Sequence, residues 1–131
     1  MATSLMQGLE LPTVGAIAVR ALKHPIDLVH LSRRTMGERA LEVEVLAAFD
    51  NQAAQIAAKL AASETGSVEL WRAELAQKLK GAARAIGAFE VASAAEEYGH
   101  RARAGLLRAG DARALIESIT RARRALRELA G

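Results

Sequence analysis

The stretch from Val68 to Gly87, VELWRAELAQKLKGAARAIG, decides how the chain is read. Val68, Trp71, Leu75, Leu79, Ala82 and Ile86 recur at steps of three and four residues. That spacing predicts an amphipathic helix from about Val68 to Ile86, with those six residues as its core stripe and Trp71 largely buried. Ser67 stands where an N-cap belongs, and with Leu70 at N3 there is no capping box. Gly87 follows in the manner of a C-terminal glycine.

The opposite side of this helix is predicted to carry Leu70, Ala73, Gln77, Lys80, Gly81 and Arg84. A solvated helix face is ordinarily rich in Glu and Lys. This one has an alanine, an uncharged polar residue, a mid-helix glycine and two cations. A glycine inside a helix costs about 1 kcal/mol relative to alanine. The cost makes sense if another molecule must approach the backbone beside residue 77. Lys80 and Arg84 then flank a sterically open strip that favours anions. The plainer alternative is an incidental glycine on a solvated face, since single helix glycines are tolerated.

Outward from this helix, the chain reads as helical throughout. Ser63 to Ser67 is a loop. Before it, a long helix is predicted from about Glu38 to Ser63, with Leu41, Val45, Phe49, Gln52, Ala53, Ile56 and Leu60 on one side. A short helix from Asp27 to Thr35 precedes that, ended by Gly37. The only prolines, Pro12 and Pro25, lie in the first quarter, so nothing later obstructs a helix. Residues 1–25 read as a tail or one short helix, with Val14, Ile17, Ala18 and Leu22 in amphipathic register. After Gly87 a helix is predicted from Ala88 to Leu107, with Val91, Ala92, Ala95, Tyr98, Gly99, Ala102 and Leu106 on one face. Asp111 is predicted to cap a last helix from Ala112 to Leu129, carrying Leu115, Ile119, Ala122, Leu126 and Leu129 inward. Four long amphipathic helices with short connections predict an all-α, antiparallel up-down four-helix bundle over residues 26–131.

Composition agrees with helix. AVILMFWYC residues make up 51% of the 131 residues, yet aromatics only 3%. Ala, Leu, Glu, Arg and Lys favour helix over strand. The absence of cysteine removes disulfides, thiol nucleophiles and thiolate metal sites. His24, His30 and His100 lack the i,i+4 spacing of a helical metal pair. The formal charge of +3, with a pI near 9.8, is mildly basic and does not by itself imply nucleic acid. No apolar run reaches the ~18 residues of a membrane span, and no basic segment precedes the first apolar one, so a cytoplasmic protein is expected.

The segment LAQKLKGAARAIGA, Leu75 to Ala88, resembles the signature of histidine-containing phosphotransfer (Hpt) domains. In that signature a histidine is followed by two residues, a lysine, a glycine and, six further on, a second glycine. Lys80, Gly81 and Gly87 stand in that register, and Ile26–Leu31 through Leu46 and Phe49 is also similar to single-domain members of alphaproteobacterial type. The resemblance covers residues from about Pro25 onward. It implies a phosphorelay role in two-component signal transduction. The surface histidine takes a phosphoryl group from a receiver-domain aspartate and passes it to another receiver. The expected partners are response-regulator receivers, hybrid histidine kinases, or both. The receiver supplies the acidic pocket and Mg²⁺, so no cofactor is expected in this chain.

Gln77 occupies the position of the phospho-accepting histidine. Its carboxamide nitrogen has a lone pair delocalised into the carbonyl and is no nucleophile, and it cannot titrate near neutrality as histidine does. The chain is therefore expected to be a non-phosphorylatable Hpt protein, through a substitution at the acceptor or as a natural pseudo-Hpt, with no catalytic cycle of its own. Two other classes compete. Arg101, Arg103, Arg108, Arg113, Arg121, Arg123, Arg124 and Arg127 could form a phosphate-backbone footprint for a basic nucleic-acid-binding or adaptor domain. No helix-turn-helix or RNA motif accompanies them. A carboxylate-bridged metal enzyme would draw on Glu38, Glu42, Glu44, Glu96 and Glu97, but it needs two Glu-x-x-His pairs, and only Glu97 with His100 supplies one.

Overall fold

The structure, a computed structural model, describes residues 25–62 and 69–130. These form five helices, α1 (Leu28–Thr35), α2 (Arg39–Ala62), α3 (Glu69–Ile86), α4 (Phe89–Ala104) and α5 (Asp111–Ala130), and no strand among the described residues. The expected amphipathic tail, the Ser63–Ser67 loop, the Ser67 cap and Val68 lie outside the described residues.

The four long helices touch in a ring: α2 meets α3 and α5, and α4 meets the same two. Among the described residues the backbones of the diagonal pairs, α2 with α4 and α3 with α5, stay apart. The interior is one cluster built from Phe49, Ala53, Ile56 and Leu60 of α2, Ala76, Leu79, Ala83 and Ile86 of α3, Val91, Ala95 and Tyr98 of α4, and Leu115, Ile119, Ala122 and Leu126 of α5. The α2, α4 and α5 stripes follow the predicted periodicity in most positions, with Leu46 joining α2, but Val45 and Leu129 are half-buried and Leu106 is exposed. Leu41 and Gln52 are only half-buried.

The α3 stripe is turned from its predicted position. Ala73, Ala76 and Ala83 are buried, whereas Trp71, Leu75 and Ala82 are half-buried flank residues. The cause is close packing against α4. A methyl group on Gly99 would sit 3.5 Å from the Ala76 Cβ and 4.0 Å from the Ala73 carbonyl oxygen. Helices this close admit only small residues between them, so alanines take the interior and the bulky side chains are displaced to the edge.

The α3–α4 connection is only Gly87 and Ala88. Gly87 has φ +81°, and its N–H donates to the Arg84 carbonyl at 3.2 Å while that of Ala88 reaches Ala83 at 2.8 Å. This is a Schellman ending, in which two otherwise orphaned carbonyls are satisfied. Asp27 crosses over the turn, its N–H donating to the Gly87 carbonyl at 2.7 Å. A Cβ at Gly87 would lie 2.8 Å from the Asp27 carbonyl oxygen. Beside this crossing, Ile26 is fully buried, and the Asp27 carboxylate caps α1 by accepting from the His30 N–H at 3.0 Å.

Two helix boundaries differ from the sequence expectation. Helix α4 stops at Ala104, because Gly105 (φ +70°) closes it with the same paired carbonyl bonds, and Leu106 is exposed beyond it. Asp111 begins α5 rather than capping it; its carboxylate accepts the Arg108 N–H at 2.7 Å and closes the preceding turn.

Candidate functional site

Helix α3 exposes Leu70, Glu74, Gln77, Lys78, Gly81 and Arg84 along one strip. Gln77 therefore faces solvent near the middle of the helix. Gly81 is open as well, with nothing within 4 Å of the place a Cβ would take. Both positions agree with the face drawn from the sequence. Leu70, 60% exposed, also lies there. Ala73 does not: it is fully buried against α4, and Glu74 takes its place in the strip. Ala73 is thus removed from the candidate docking residues, for the packing reason given above.

Lys80 lies at the border between α3 and α4, with 18% of its side chain exposed. Its Nζ is 3.9 Å from Glu96 Oε2, and Arg84 Nη2 is 3.8 Å from Glu96 Oε1. The two cations predicted beside Gln77 share one carboxylate. The α3 periodicity alone does not reveal Glu96. The turn does: Lys80 and Glu96 lie eight residues on either side of Ala88. Gly87 belongs to the turn that sets this register, and not to the exposed strip.

Contacts between the two helices climb away from the turn. Lys80 and Arg84 reach Glu96, Ala76 abuts Gly99, and Arg72 Nη1 donates to the Tyr98 hydroxyl at 3.0 Å. Arg72 is buried, and its guanidinium carbon stands 4.8 Å from the Trp71 ring centroid. Trp71, Glu74, Leu75 and Lys78 line a shallow cleft with Lys59 of α2.

The histidines are placed differently from one another. His30 sets its ring against Phe89 at 5.1 Å, edge to face, and its Nε2 is enclosed with no hydrogen-bond partner among the described residues. His100 is exposed on α4. Neither has a lysine and glycine at the offsets that Lys80 and Gly81 have from Gln77. Among the described residues no three His, Asp or Glu side chains gather as a metal site.

Of the eight arginines of the last third, Arg101, Arg121 and Arg123 pair with carboxylates, whereas Arg103, Arg108, Arg113, Arg124 and Arg127 are exposed. Arg123 Nε donates to Asp50 Oδ1 at 2.7 Å, tying α5 to α2, and this hydrogen bond raises the guanidinium pKa above its ordinary value. Arg101 is raised by its hydrogen bond to Glu97, with the Asp111 charge adding to it. Arg121 pairs with Glu90 at 3.5 Å. No described helix is long and apolar enough to cross a membrane. Comparison of the chain with protein-family models, with curated proteins and with solved structures finds no match in any of the three.

Proposed function

We propose that this chain is a phosphorelay docking protein of two-component systems, an Hpt-like domain that binds receiver domains, or the kinases that carry them, without accepting phosphate. The observation that carries the reading is the α3 strip: Gln77 exposed, Gly81 uncovered one turn later, Lys80 and Arg84 beside them. An incoming acidic pocket needs a protruding residue, room for close approach and a basic rim. The strip offers all three, and only the nucleophile is missing. The helices are read as an antiparallel up-down bundle with α1 over one end. The ring of contacts and the two-residue α3–α4 connection support that arrangement. A cytoplasmic location and the lack of a catalytic cycle belong to the same proposal.

The test is phosphotransfer. Incubation with phosphorylated receivers should leave the Gln77 protein unlabelled while a complex with the receiver still forms. Gln77→His should gain a label that is acid-labile and base-stable. Label on the unaltered chain, mapped to His30 or His100, would overturn the proposal.

A further inference from the structure

Among the described residues Glu96 is the acidic group set between Lys80 and Arg84, one carboxylate oxygen toward each. Lys80 and Arg84 are one turn apart, so their charged ends bracket a space that fits a single carboxylate or phosphoryl group. The chain fills that space itself. We infer that Glu96 is an internal counter-ion that competes with an acidic partner surface for Lys80 and Arg84 and so weakens docking. The inference rests on the reading of α3 as a docking strip and adds the residue that tunes it.

The geometry favours displacement of Glu96 over movement of the cations. At 3.8 and 3.9 Å neither pair is a hydrogen bond, and the Glu96 side chain is 41% exposed. Such pairs are weak and screened by salt. The Lys80 side chain is mostly enclosed at the α3–α4 border. When an acidic group arrives, the carboxylate can swing into water while Lys80 stays in place.

The experiment compares the unaltered chain with Glu96→Gln, Glu96→Ala and Glu90→Gln. The last makes the same change in net charge but frees Arg121 instead. Each is titrated with inorganic phosphate, followed by amide shifts at Lys80, Gly81 and Arg84, and with a panel of receiver domains by calorimetry. Both Glu96 variants should bind about three- to tenfold more tightly at low salt, with the gain lost at high salt. Glu90→Gln should match the unaltered chain. Equal phosphate affinity with and without the Glu96 carboxylate, or an equal gain in Glu90→Gln, would overturn the inference. If phosphate binding tightens in the Glu96 variants and no receiver binds any protein, the counter-ion role stands and the receiver reading fails. If receivers bind every variant alike, the counter-ion role fails and the docking reading stands.

Discussion

Gly81, Gly87 and Gly99 lie within one helical hairpin, and each responds differently to a side chain. At Gly81 nothing stands within 4 Å. Gly81→Arg should keep the fold and raise stability by about 0.5–1 kcal/mol, the helix-propensity difference, while receiver docking is lost. Calorimetric melting alongside a binding assay reads both effects; an unfolded variant would mean that residue 81 faces inward. At Gly87, φ is +81° and Asp27 is already in the way. Gly87→Ala should therefore cost on the order of 2–4 kcal/mol, from left-handed strain together with displacement of the crossing segment. Denaturant midpoints check this, and a neutral result would refute the Asp27 crossing. At Gly99 the nearest contact for a new methyl is an ordinary 3.5 Å. Gly99→Ala should be neutral or stabilise by up to about 1 kcal/mol.

At the scale of elements, α3 shows what periodicity can and cannot reveal. Its outer residues Gln77, Gly81 and Arg84 were legible because solvent tolerates charge and glycine there. Its inner face departs from the hydrophobicity pattern because side-chain size does not decide burial there. Trp71 and Leu75 outweigh Ala73, Ala76 and Ala83 on any hydrophobicity scale, yet the approach of α4 at Gly99 leaves space only for the alanines. That approach is a property of two helices and appears in neither alone. Glu96 was hidden for the same reason. The end of α3 is legible from Gly87, whereas α1 is closed one residue before Gly37 by Met36 at φ +53°, and the stop at Gly105 is masked by the apolar pair Leu106 and Leu107. The buried Arg72–Tyr98 bond joins α3 to α4 and gives a measurable test of their pairing. Tyr98→Phe should cost about 1 kcal/mol by removing one hydrogen bond of the buried Arg72 guanidinium, and it should alter Trp71 fluorescence, because the guanidinium lies over that ring. Unchanged stability and emission would count against the α3–α4 register.

At the scale of the whole molecule, the core is built mainly of alanine and leucine-sized side chains around one contact ring, and α3 with α4 is its most extensively packed pair. Native-state hydrogen exchange should find the slowest amides in those two helices and faster exchange in α1, a short helix packed against α2 and α3. Slowest exchange in α1 would contradict that order. The hairpin's uncovered glycine also bears on how sequences of this kind should change under selection. Its replacement should give a gain in thermal resistance. A library selected for heat tolerance alone should lose Gly81 among its first changes. The same library selected for retention of the binding partner should keep it. The frequency of glycine at this position in the two pools would then measure, without a binding constant, how strongly the exposed strip is used.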